Sequence, residues 1–327
     1  MTDVLSEVLR AVRLTGAVFF SVEASAPWVA ETPAASVIAP YVMPGSEHTI
    51  EYHLVTRGSC WGGIVDQAAG RLEEGDIIVF PQGDAHVLSS APGMRGYPEP
   101  DAFQAVGGAR LPINIKKDGG GADRTEVICG FLGCDARPFN PLLSALPRVI
   151  HARARDRKDG MLEHLVRAAL TESTAPKAGG QGVLARLSEL LFIEVVRGYL
   201  ATLPADGAGW LSGLRDESVS RVLERLHDRP AHPWTLDELA KEVGSSRSVV
   251  AERFPHFVGI PPIQYLTQWR IQLAATLLRS TRYTLAEIAE RVGYGSEAAL
   301  SRAFKRAAGV APAMYRQKNG AETVAGN

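Results

Sequence analysis

TLDELAKEVGSSRSVVAERFPHFVGIPPIQY, Thr235 to Tyr265, is followed by TLAEIAERVGYGSEAALSRAFKRAAGVAPAMY, Thr284 to Tyr315. The two stretches are one pattern written twice. Thr235, Leu236, Glu238, Ala240, Val243 and Gly244 recur 49 positions on, and Phe254, Gly259, Pro262 and Tyr265 recur 50 positions on. One residue inserted in the second turn accounts for the slip. A repeat at such a period marks a duplicated supersecondary unit, and two copies are too few for a solenoid.

Each copy opens with Thr-x-x-Glu, a capping box in which the Thr oxygen and the Glu carboxylate satisfy orphan backbone donors. A short helix follows, apolar on one face at Leu236, Leu239, Ala240 and Val243. Gly244 or Gly293 ends it. Ser246 or Ser296 then caps a second helix that buries Val250 and Phe254, or Leu300 and Phe304, at i and i+4. Helix, glycine-bearing turn, helix is the helix-turn-helix unit, whose second helix enters the major groove in DNA-binding versions. Two plain helical hairpins would also fit. The opposite faces favour DNA: they carry Arg247, Ser248, Ala251 and Glu252 in one copy, and Glu297, Ala298, Ser301, Arg302 and Lys305 in the other. Short polar residues with arginine suit base edges and phosphates. Pro255 predicts an early end or a kink in the first of these helices.

Between the copies PIQYLTQWRIQLAATLLRS, Pro262 to Ser280, predicts a long, largely buried helix with proline at its start. At about 1.5 Å per residue it spans roughly 28 Å. That length suits a strut holding two reading helices near one DNA turn apart, about 34 Å.

Together these residues resemble the AraC/XylS family of bacterial transcription regulators, over Asp216 to Gln317. The paired motifs, Trp269–Arg270 in the linking helix, and the closing Gly309, Pro312 and Tyr315 carry the resemblance. By position, it places base-contacting residues at Ser248, Glu252, Ala298 and Arg302. Glu252 is acidic where the family often has a basic or amide side chain, though a carboxylate accepts from cytosine N4. Arg253, Lys305 and Arg306 are expected to add phosphate affinity. The resemblance also implies promoter DNA and RNA polymerase as partners, a homodimer and a small effector.

With 327 residues, the chain has room for two domains. Its net charge of −1 divides into +5 for residues 214–318 and −6 for the rest. A positive module beside an acidic remainder fits a DNA-binding part joined to something else. Three cysteines argue against a disulfide scaffold. The N-terminal stretch predicts an amphipathic helix rather than a signal peptide, and no run is apolar enough for a membrane span. A cytoplasmic, reduced protein is expected.

From Thr15 to about Asp135, GAVFFSVE, SVIAPYVM, EYHLVT, DIIVFP and TEVICGFL alternate with Gly, Pro and Asp turns, predicting strands of a β-sandwich or barrel. Gly75, Pro81, Gly83 and His86 resemble the second cupin motif. Glu51 with Gly58 gives part of the first, without its His-x-His pair. Cupins are jelly rolls, and regulators of the AraC type commonly carry one as an effector domain. The fold class expected is therefore α+β: a cupin-like N-terminal barrel plus helices, and an all-α double helix-turn-helix. The domains expected are 1–203 for sensing and dimerisation, 204–213 as linker, 214–318 for DNA, and 319–327 as a disordered tail.

Two occupants of the barrel stay open, beside the reading that it holds none. A divalent transition metal would draw on His48, Glu51, His53 and His86, since imidazole and carboxylate suit such ions. An organic effector would meet Glu51, His53, Trp61 and His86, with Tyr52 and Trp61 as apolar walls. Otherwise the histidines only hydrogen-bond locally. Cys129 and Cys134 are either redox-sensing thiols or buried small hydrophobes. DGGGAD, Asp118 to Asp123, reads as a flexible loop joining strands. Val183 to Ala201 forms a helix whose Leu184, Leu187, Leu191 and Val195 either cover the barrel or form a dimer seam. Function follows: a DNA-binding transcription regulator, not an enzyme, whose cupin-like domain senses a small molecule, metal or redox signal. The rival is a cupin metalloenzyme of the dioxygenase kind with a helical appendage.

Overall fold

A computed structural model describes residues 3–98, 100, 103, 113–154, 160–175, 177–204 and 207–317. The tail expected at 319–327 lies outside them. The chain divides into two units. One comprises Leu14–Cys134 with Leu146–Thr202; the other gathers Met1–Arg13, Asp135–Ala145 and Leu203–Asn327.

The first unit is a two-sheet β structure. Its six-stranded sheet runs β10 (Ile150–Ala152), β6 (Ile77–Phe80), β3 (His48–Arg57), β9 (Arg124–Cys134), β1 (Thr15–Ser25) and β8 (Ile113–Asp118). Its four-stranded sheet runs β2 (Val29–Thr32), β7 (His86–Ser89), β4 (Ser59–Ile64) and β5 (Gly70–Glu73). Neighbours pair antiparallel except β1 with β8. Phe20, Val22, Trp28, Val55, Leu72, Phe80, Leu88, Val127 and Phe131 fill the core. On β3 the period of two separates Glu51, His53 and Val55 from Tyr52 and Leu54 on the opposite face.

That opposite face is covered by α5 (Gly180–Thr202), which packs against α4 (Met161–Thr174). Leu191, Phe192 and Val195 meet Tyr52, Ile77, Val79 and Leu132. Leu184, Leu191 and Val195 are thus buried on the sheet, so three of the four heptad residues are not free to form a dimer seam. The covering role holds instead. Gly16 lets β1 approach α5 closely: a Cβ there would lie 2.4 Å from the Ala185 carbonyl oxygen.

SVIAPYVM does not form a strand. Residues Ala35–Val42 form α2. Ala35, Ile38 and Val42 are buried while Ser36, Val37, Pro40 and Tyr41 face out, a helical spacing hidden by the β-branched composition. DGGGAD joins β8 to β9 as expected, but it is bonded down. Gly119 N–H donates to the Ser25 carbonyl at 3.0 Å and Gly121 N–H to that of Ala26 at 2.8 Å.

The second unit is helical: α1 (Val4–Ala11), α3 (Pro141–Ala145), α6 (Trp210–Gly213), α7 (Glu217–Asp228), α8 (Leu236–Glu242), α9 (Arg247–Val258), α10 (Pro262–Ser280), α11 (Leu285–Val292) and α12 (Glu297–Ala308). Gln272 of α10 ties two distant segments: its Oε1 accepts from Phe139 N–H and its Nε2 donates to the Ala11 carbonyl, both at 3.0 Å. Trp210, expected within the linker, is buried and donates from Nε1 to Tyr265 Oη at 3.1 Å. Among the described residues no helix is long and apolar enough to cross a membrane.

Candidate DNA interface and effector site

Both helix pairs form as the repeat predicts. Ser246 Oγ accepts from Val249 N–H and Ser296 Oγ from Ala299 N–H, so each second helix has its N-cap. Thr284 and Glu287 make the full capping box. Thr235 makes only half of one, because the Glu238 carboxylate turns to His232 Nε2 at 2.7 Å. Gly244 and Gly293 sit at φ of +67° and +83°, as the turns require. Pro255 neither ends nor shortens α9, which runs on to Val258. Proline removes a single ladder bond there, while Phe254 and Phe257 remain buried and hold the last turn in place.

Val250, Phe254, Leu300 and Phe304 point inward. Arg247, Ser248, Ala251 and Glu252 are exposed on α9, as are Glu297, Ala298, Arg302 and Lys305 on α12; Ser301 is half-buried. The arginines differ in freedom. Arg247 pairs with Asp237 at 3.1 Å. Arg253 pairs with Asp216, the N-cap of α7, and lies over the Phe257 ring. Among the described residues Arg302 and Lys305 pair with no carboxylate. Arg270, which the sequence placed only by resemblance, is a brace: it donates to the carbonyls of Pro230 at 2.6 Å and His232 at 2.8 Å.

In the β unit, a cavity of about 550 Å³ lies against Phe20, Val22, Trp28, Phe103, Val127 and Phe131, with Glu51 and His53 in its wall. Trp61 and His86 are not among the residues lining it, and Tyr52 faces α5, where its hydroxyl meets Ser188 Oγ at 2.6 Å. Glu51, His53 and His86 come together: one ligand atom from each lies within 4.8 Å of the others. His53 Nε2 is 2.6 Å from His86 Nε2, and His86 Nε2 is 3.7 Å from a Glu51 oxygen. His48 stands apart, with Nε2 2.7 Å from the Pro81 carbonyl. Burial pushes the Glu51 carboxyl well above the usual carboxylate range. Burial also takes His53 well below its ordinary value and His86 down to about 4.

Cys129 and Cys134 are buried, and burial pushes the Cys129 thiol up. A redox sensor needs an accessible, easily ionised thiol, and neither cysteine is exposed.

A cupin family model matches residues 3–201 and a helix-turn-helix model matches residues 239–318. A Streptomyces lividans protein named as an AraC-like transcription regulator is 35% identical over 274 residues, covering 82% of this chain and 86% of the relative. The chain belongs to the AraC-like transcription regulators. The HTH-type transcriptional regulator AlkR of Acinetobacter baylyi is 31% identical over 270 residues, covering 82% of this regulator and 87% of AlkR. Among solved structures, the DNA-binding domain of AdpA with its target DNA is 30% identical (TM-score 0.31), covering 32% of this regulator and 93% of that domain. The regulator is therefore a DNA-binding, non-enzymatic protein with a cupin domain and a helix-turn-helix domain.

Proposed function

We propose that this regulator reads two successive stretches of double-stranded promoter DNA through the exposed faces of α9 and α12. The observation that carries the reading is the serine-capped second helix, built twice, with Arg302 and Lys305 on the second copy pairing with no carboxylate among the described residues. Arg302 is the candidate for base reading, and Lys305 for phosphate. Arg247, Ser248, Glu252, Glu297, Ala298 and Ser301 flank them. Arg253, held by Asp216, has the smaller part.

The signal enters the β unit. A small effector in the cavity favours one of two states of the regulator, and its differential affinity sets how far DNA binding shifts. Glu51, His53 and His86 are the residues that would hold a divalent transition metal. The homodimer implied by the family would use the outer face of α5, where Val183 and Leu190 are exposed. RNA polymerase is the partner at the promoter, in the cytoplasm. Selection of bound sequences from random duplex DNA, with and without candidate effectors, tests this. Enrichment of a bipartite site is expected; recovery of unenriched DNA overturns it.

A further inference from the structure

α9 and α12 carry opposite charges at matching positions. Arg247 and Glu252 on α9 correspond, 50 positions on, to Glu297 and Arg302 on α12. Pro255 and His256 correspond to Lys305 and Arg306. On α12 the exposed Arg302, Lys305 and Arg306 pair with no carboxylate among the described residues. On α9 both arginines are taken, Arg247 by Asp237 at 3.1 Å and Arg253 by Asp216. Ser248 is short, and its Oγ lies 3.0 Å from Ser246 Oγ. Ala251 has no polar side-chain atom. The N-terminal part of the second helix is what meets base edges in a helix-turn-helix. There, Glu252 is exposed and makes no hydrogen bond or ion pair among the described residues. It is the long side chain that α9 has free for a base.

We infer that Glu252 accepts a hydrogen bond from the N4 amino group of a cytosine, so that the two halves of the DNA site are chemically unlike. This rests on the reading of α9 and α12 as the DNA-facing helices. An ionised carboxylate only accepts, and phosphates repel it. The donors in the major groove are the amino groups of cytosine and adenine. Adenine sets the N7 acceptor beside its amino group, which suits the donor and acceptor of an amide and pushes a carboxylate away. Cytosine has no acceptor beside N4 on its own edge. Thymine puts an acceptor, O4, where the cytosine amino group would stand. A carboxylate pressed into the groove against the wrong base gives up water and gains no donor. Glu252 therefore works chiefly by rejection. The α9 half of the site discriminates, while α12, with three free cations, supplies a guanine contact and most of the phosphate affinity.

The test is selection from random duplex DNA with the full-length wild type and with Glu252→Gln. The wild type should enrich a cytosine at one position of one half-site. Glu252→Gln should move that position toward adenine and leave the other half-site as it was. Anisotropy on the selected duplex then removes the amino contact from the DNA side. N4-methylcytosine keeps its pair with guanine but puts a methyl group where the outward amino proton was. That base, or a thymine–adenine pair in its place, should weaken the wild type at least about fivefold. Glu252→Ala should bind the three duplexes within about twofold of one another, because nothing is left to read the difference. A bipartite site enriched identically by wild type and Glu252→Gln overturns the cytosine contact and leaves the regulator reading standing. So does a wild type indifferent to N4-methylcytosine, a result that depends on no variant. Recovery of unenriched DNA with the wild type overturns both.

Discussion

Asp135 and Arg279 form an ion pair with both side chains almost wholly out of water. Arg13 adds two bonds to the same carboxylate, at 3.1 and 2.9 Å, and Arg279 also donates to Tyr315 Oη. Asp135 opens the segment after β9, Arg13 closes the one before β1, and Arg279 lies near the end of α10. One buried carboxylate thus knits the N-terminal segment and the segment after β9 to the helix that links the two helix-turn-helix units.

Removing Asp135 leaves a guanidinium buried without its counter-charge. Breaking one side of such a pair costs about 3–5 kcal/mol. Asp135→Ala should therefore lower the urea midpoint of the helical signal sharply, and adding Arg279→Met should recover much of the loss. A single variant as stable as the wild type would refute this role.

His227 carries an acid sensitivity. Tyr265 Oη accepts from Trp210 Nε1 at 3.1 Å and lies 2.9 Å from His227 Nε2. Burial holds the His227 pKa down to about 3. The unfolded chain takes up that proton near the ordinary value of about 6.5. Stability is full above that value and is lost as pH falls from there toward the folded one. His86, held down to about 4, acts in the same direction. Urea melts at neutral and mildly acidic pH should show the loss, and His227→Gln should reduce it.

Tyr52 and Ser188 give an asymmetric pair of variants. Ser188 Oγ donates to the Leu184 carbonyl at 2.8 Å and so accepts from the tyrosine hydroxyl. Ser188→Ala strands a buried donor and should cost about 1–3 kcal/mol, whereas Tyr52→Phe strands nothing of that kind and should cost nearer 1 kcal/mol. Equal losses on thermal unfolding would count against this assignment of donor and acceptor.

The helical repeat was legible because each rule is local: cap, apolar spacing and glycine all lie within one turn of each other. Glu238 departed from the rule because His232, outside the repeat, competes for its carboxylate. Ala35–Val42 misled because its β-branched residues sit at helical spacing. In the β unit, period two on β3 was enough to put Glu51 and His53 on one face. The remaining cavity wall, from Phe20 and Val22 on β1 to Val127 and Phe131 on β9, depends on strand pairing far apart in sequence. Phe20 with Val22, and Val127 with Phe131, already showed even spacing that would have flagged it. Nothing local announced Asp135 with Arg279, or Gln272 with Ala11.

Arg302 and Lys305 should fail differently on DNA. An arginine bidentate to guanine is worth about 1–3 kcal/mol at one base pair. Arg302→Ala should therefore relax preference at a single position of the selected site. A lysine on phosphate carries no sequence information, so Lys305→Ala should weaken binding evenly and flatten the salt dependence by about one counterion. Arg253→Ala should change DNA affinity less than either, because its guanidinium is occupied by Asp216. Anisotropy titrations on the selected duplex and its single-base variants, at several salt concentrations, separate the three. If Arg302→Ala loses affinity equally on every sequence, α12 holds the duplex without reading it.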